Sequence, residues 1–316
     1  MGDQMTRRSS LSVSLLSLTL ATVAQAQSTP RLGQAAGTEI FMTSDSEGFE
    51  ERRVSVEYFP RFAHGDQFIG LRGSHYFYQQ GDWSRHGQKF SLLARQLDPL
   101  TQNGWTIDGG VFQQRRHMLA TLDSSVRVPI TSTTAWEGFA SRDWVETPRA
   151  LDAGIHYTFA GMALEQLIGH HVTMVGIAGQ QYFSDGNRRD HGRLRVIYQP
   201  SLNLGLTIQA RFRAYRSTHL DVGRTYFNPA HYRDSMLAFG WRHRFDHWMA
   251  MATVGWGREK VDGAPSEPTQ LAEVSLQSPL YGAQFLRLRA GYNRSASYFG
   301  PDYRYRYVAM EWIVRF

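Results

Sequence analysis

The sequence predicts an all-β fold, a transmembrane antiparallel β-barrel of about sixteen strands. Three observations predict it. A secretory leader opens a chain that has no cysteine. Two-faced runs of period two recur from residue 38 to the end. The last of these, "YVAMEWIVRF" at 307–316, sets a wholly apolar face (Val308, Met310, Trp312, Val314, Phe316) against one that mixes charge with bulk, and stops on Phe316.

The leader comes first. Arg7 and Arg8 form a basic head, Leu11 to Ala24 a short serine-and-leucine core, and Ala24-Gln25-Ala26 a small-residue stop. That order marks a signal peptide cleaved after Ala26, and its core is too short to span a bilayer as a helix. Removal of residues 1–26 takes Arg7, Arg8 and Asp3 from the 34 bases and 28 acids, leaving 32 against 27, or +5. A secreted chain without cysteine has no disulfide framework, so another device must hold it together. Residues 27–37, "QSTPRLGQAAG", are expected to be a short periplasmic leader, and residues 38–316 the barrel.

Within the barrel, turn clusters such as "SDSEG" (44–48), "AHGD" (63–66), "DPLTQNG" (98–104), "SDGNRRDHG" (184–192) and "VDGAPSEP" (261–268) separate the runs. The first four strands are expected near 38–43, 51–61, 67–79 and 86–97. The next four fall near 104–114, 117–128, 131–141 and 150–161. Four more lie near 169–183, 190–199, 203–216 and 232–245, and the last near 247–259, 268–278, 283–296 and 304–316. Patterning is weaker at 131–141 and 169–183, and "GMALEQLIG" at 161–169 also suits a helical turn.

The faces decide between a soluble sandwich and a membrane barrel. Leu194, Val196 and Tyr198 alternate with Arg193 and Arg195, and Ile208, Ala210 and Phe212 with Gln209, Arg211, Arg213 and Tyr215. Leu237, Phe239 and Trp241 oppose Arg242 and Arg244, while Leu286 and Leu288 oppose Arg287 and Arg289. Val54, Val56 and Tyr58 oppose Arg53 and Glu57. Apolar residues toward lipid and charged residues toward a wet lumen account for this, and closure satisfies every strand edge. The aromatic residues Tyr58, Tyr76, Trp105, Tyr182, Trp256, Tyr298 and Tyr307 lie at strand ends or near turns, as a membrane-interface girdle requires.

Four two-residue arginine ladders (193/195, 211/213, 242/244, 287/289), with Arg315 beside them, are therefore candidate solute-guiding residues. Tyr215, Tyr305 and Tyr307 share the lumen parity and can stack on sugar rings. The alternative is that the arginines pair with lumen acids such as Asp108, Asp152, Glu273 and Glu311, bracing the wall and selecting nothing. Catalytic signals are thin, and no enzyme activity, cofactor or metal is expected. His170 and His171 point to opposite faces of a strand, and His243 and His247 straddle a turn at Asp246. The positive charge is spread along strands rather than gathered on one aromatic-rich face, which argues against nucleic acid.

The stretches "YFSDGNRRD" (182–190), "YFNPAHY" (226–232), "SDSEGF" (44–49) and the closing strand resemble the barrel portion of bacterial exopolysaccharide export porins. These are the exporters of poly-N-acetylglucosamine and cellulose, with short relatives of the YaiO type. The resemblance implies a sixteen-stranded outer-membrane pore passing a growing polysaccharide, with Phe316 in the strand that the barrel-assembly machinery recognises. It places Asp185, Gly186 and Asn187 in a tight turn and Tyr226, Phe227, Asn228 and Pro229 in a loop. Such porins carry a helical-repeat domain ahead of the barrel, whereas only residues 27–37 precede it here; a separate periplasmic scaffold protein is then expected. A porin for small anions, or a plugged barrel serving adhesion or phage attachment, fits the same pattern.

Overall fold

Sixteen strands close into one antiparallel barrel in the computed structural model, which describes residues 33–201, 203–219, 221–280, 282–295 and 303–316. They are β1 (Gly33–Asp45), β2 (Phe49–His64), β3 (Gln67–Gln80), β4 (Trp83–Leu97), β5 (Gly104–Gln114), β6 (His117–Pro129), β7 (Thr134–Trp144) and β8 (His156–Ile168). The second half comprises β9 (Val172–Phe183), β10 (Arg188–Ser201), β11 (Leu206–Ser217), β12 (His231–Phe245), β13 (Trp248–Val261), β14 (Glu267–Gln277), β15 (Gln284–Ser295) and β16 (Tyr303–Arg315). Each strand pairs with its sequence neighbours, and β16 closes on β1 in a register running from Ala35 opposite Arg315 to Asp45 opposite Tyr305. The closing strand thus finds its partner at the other end of the chain, and no edge is left for hydrocarbon to strand unsatisfied.

The alternation survives as two faces. Val56 is 66% exposed, Phe90 70%, Met118 72% and Val308 58%, all on the outside of the cylinder. An apolar band of that extent has no place in water and suits lipid. Their strand neighbours turn inward: Ser55, Glu57, Lys89, Ser91 and Ala309 are buried. Of the expected girdle, Tyr58, Trp105, Tyr182 and Trp256 do face outward. Tyr76 and Tyr307 do not. Tyr76 stacks on Tyr78 and Phe112 inside the barrel, and Tyr307 lies against Phe41 and over Gly291, where a Cβ would collide with its ring. Tyr298 and residues 1–32, which include the expected signal peptide, lie outside the described residues.

Three local expectations are corrected. Strand β1 begins at Gly33, so residues 33–37 are strand rather than leader. The run at 150–161 is not a strand throughout: a helix, α1 (Pro148–Ala153), occupies its start, and β8 follows from His156. "GMALEQLIG" therefore continues β8 up to Ile168 rather than forming a helical turn. The helix is dictated locally, since Thr147 caps it by accepting from Ala150 N, Pro148 supplies the first-turn φ, and Gly154 ends it at φ 69°. In β2 the pairing with β3 slips between Tyr58 and Arg61, at Pro60, which has no N–H to give to a ladder.

The start of β1 and the end of β16 lie at one end of the barrel, so the connections alternate between that end and the far end. The two longest described ones, 145–155 and 218–230, both fall at the far end.

Candidate functional site

The lumen wall divides into two unlike regions. Across β1–β5 the charges are balanced and interlocked. Arg53 donates to Glu39 Oε1 at 2.7 Å, Arg72 Nε to Glu57 Oε1 at 2.6 Å and Arg72 Nη1 to Asp108 Oδ2 at 3.1 Å. Arg72 also reaches Glu39 (3.6 Å), and Lys89 reaches Asp108 (3.5 Å). The register explains this, because Glu57 stands directly opposite Arg72. A further pair, Arg127 with Glu165 at 2.8 Å, continues the pattern toward β8.

Across β10 and β11 the register sets like against like: Arg193 faces Arg213, and Arg195 faces Arg211. Arg213 donates to Tyr232 Oη at 2.7 Å and lies 3.6 Å from Asp234. Among the described residues, Arg195 and Arg211 have no such carboxylate. Arg195 donates through Nε (3.1 Å) and Nη2 (2.7 Å) to Gln209 Oε1, and Arg211 donates through Nε (3.1 Å) and Nη2 (2.8 Å) to that same oxygen. Gln209 is buried.

The other predicted arginines are scattered. Arg287 pairs with Glu311 at 3.4 Å and donates to Gln277 at 3.2 Å, so it braces the wall. Arg289 is exposed on the same strand. Arg242 and Arg244 lie near the terminal-end turn at Asp246 and His247, and Arg315 packs where a Cβ on Gly33 would touch it. Of the proposed bracing acids, Asp108 and Glu311 hold arginines. Asp152 does so from α1 rather than from a strand, and Glu273 accepts from Tyr307 Oη at 3.4 Å. The three tyrosines differ in burial, Tyr307 being half-buried. Tyr215 is 3% exposed, sandwiched between Tyr232 (4.7 Å, 13°) and the Arg189 guanidinium (4.6 Å), and Tyr305 is also buried.

The far mouth holds what sequence reasoning missed. Helix α1 seats Ala150 and Leu151, both almost fully buried, among inward rings of the wall, including Tyr78, Phe112, Tyr157 and Phe159. Its polar side is tied down by Asp152 to Arg85 (2.6 Å) and Trp83 Nε1 (3.0 Å). Thr147 Oγ1 donates to Thr225 O at 2.6 Å, joining the helix to the 218–230 loop.

That loop is latched in turn to the β9–β10 turn. Tyr226 Oη donates to Asp185 Oδ2 (2.8 Å), Asn187 Nδ2 donates to Tyr226 Oη (3.1 Å) and Asn228 Oδ1 (2.9 Å), and the Phe183 and Tyr226 rings stack at 4.7 Å. Gly186 holds the turn at φ 91°, and Arg189 Nη2 donates to Phe227 O beside Pro229. Burial, helped by the Asp185 carboxylate, holds the Tyr226 phenol well above its ordinary pKa, so it remains a donor. Thr147-Pro148 followed by Gly154 was a readable helix signature. The meeting of Asp185 with Tyr226, 41 residues apart, was not.

The chain matches no protein-family model, and it matches no curated protein. Among solved structures it is similar to a "bacterial polysaccharide outer membrane secretin", with TM-score 0.69 and 13% identity over 92% of this chain and 100% of that one. It is also aligned with Pseudomonas aeruginosa OpdK with vanillate (TM-score 0.44, 9% identity, 90% and 99% covered) and P. aeruginosa OccK5 (0.42, 10%, 90% and 98%). The first likeness shows the fold: this chain has the architecture of an outer-membrane β-barrel.

Proposed function

We propose that the protein is a passive outer-membrane conduit for export of an exopolysaccharide. The observation that carries the reading is the guanidinium track on β10 and β11, a row of hydrogen-bond donors facing a lumen whose opposite wall ties Arg53, Arg72 and Lys89 to carboxylates. The fold-level likeness to a polysaccharide secretin supports it. Arginine donors exchange hydrogen bonds with hydroxyl and acidic groups of a moving chain without chemistry. The exterior band meets outer-membrane lipid, the strand ending at Phe316 engages the barrel-assembly machinery, and a separate periplasmic scaffold delivers the polymer. Longer loops face outward in such barrels, which makes the end bearing 145–155 and 218–230 the cell surface.

Current through single barrels in planar bilayers tests this reading. Added saccharide polymer should interrupt the current from the periplasmic side, and polymer that never does so would contradict export. A second reading, a plugged receptor barrel, is favoured by α1 seated in the far mouth. It expects no current until the 145–155 connection is shortened.

A further inference from the structure

We infer that Arg195 and Arg211, held by Gln209, form a seat for the carboxylate of an acidic saccharide; this rests on the conduit reading and adds a substrate class to it. Four N–H groups from the two guanidiniums converge on one neutral oxygen, Gln209 Oε1, at 2.7–3.1 Å. Opposed like charges are unfavourable on a sheet, and the facing wall answers Arg53, Arg72 and Lys89 with carboxylates, while its Arg95 donates to Gly65 O. Here the shared acceptor is an amide, so both positive charges remain. The acids that these arginines feel, Glu273 and Asp234, lie beyond ion-pairing distance of either.

Each guanidinium keeps its Nη1 amino group out of any bond within the described residues, and neither Nη1 is a buried orphan. These two groups open on the lumen. Gln209, buried and bridging, is a positioning residue that fixes the spacing of the fork. A planar oxyanion suits the fork, since guanidinium donors match carboxylate geometry and charge assistance about doubles such a bond. Arg193 and Arg213 stand opposite each other about 7 Å further along, two residues of strand, and there Arg213 is held by Tyr232 and Asp234, so the open fork is the Arg195–Arg211 pair.

The substitution Gln209→Glu places a carboxylate among the same donors while keeping size and hydrogen bonding, and Arg195→Gln with Arg211→Gln removes the donors. Full-length protein in detergent, its barrel verified by circular dichroism, is titrated with fluorescent polygalacturonate, dextran of matched length, galacturonate monomer and inorganic phosphate. Polygalacturonate should bind wild type at least about tenfold more tightly than either variant, a loss of about 1.4 kcal/mol, with dextran unchanged. Equal binding of polygalacturonate to wild type and Gln209→Glu would overturn the seat. Monomer or phosphate binding as tightly, per anionic group, as the polymer would overturn the assignment to a saccharide chain. In bilayers the two readings fail differently: a failed conduit is blocked by no polymer, whereas a failed seat is blocked by dextran and polygalacturonate alike.

Discussion

The β1–β5 wall and the β10–β11 wall use the same residue types to opposite ends. In the first, Arg72 is gripped by Glu57, Asp108 and Glu39, so its charge is consumed in holding strands together. In the second, Arg195 and Arg211 lean on one amide and keep their charge for the lumen. An inward arginine therefore has no fixed role. The residue across the ladder decides whether it braces or selects.

The largest expected effect breaks the first wall. Arg72→Ala leaves the wholly buried Glu57 carboxylate without its partner, and should cost about 3–5 kcal/mol in urea unfolding from detergent. Next comes the exterior control: Val56→Arg puts a cation on the lipid face, at a cost of about 2–4 kcal/mol near the midplane.

The latch comes third. Tyr226→Phe removes the bonds to Asp185 and Asn187, about 1 kcal/mol each, and should raise single-barrel conductance without altering ion preference. Because burial raises the phenol's pKa above its unfolded value, the latch's contribution is intact below about pH 10 and is lost as pH climbs through the folded value. Conductance should accordingly stay level across neutral pH.

The smallest stability effect belongs to the second wall. Arg211→Ser relieves a like-charge contact and should change stability by less than about 1 kcal/mol, while the reversal potential in a salt gradient moves toward cations. A loss as large as that of Arg72→Ala would erase the contrast between the walls.

Parity was what the sequence made legible. Each strand needs one lipid face, so Leu194, Phe212 and Trp312 announce their side, and by period two they announce that of Arg193, Arg211 and Ile313. Pairing was less legible: that Arg195 meets Arg211 while Arg72 meets Glu57 depends on turn lengths as much as on pattern. The Pro60 slip and the start of β1 at Gly33 escaped because strand ends carry little hydrophobic signal. The far-mouth assembly was least visible, since α1 and the 218–230 loop meet through a few polar contacts between distant segments, such as Thr147 with Thr225.

The absence of cysteine makes one measurement decisive. Single cysteines placed at 211, 212, 213 and 214 in liposome-embedded protein are exposed to a membrane-impermeant thiol reagent. Labelling at 211 and 213 with protection at 212 and 214 is the expected result, because Phe212 and Ala214 meet lipid while the arginine positions meet water. Uniform labelling, or labelling in the opposite phase, would contradict a cylinder with an apolar exterior and a charged interior.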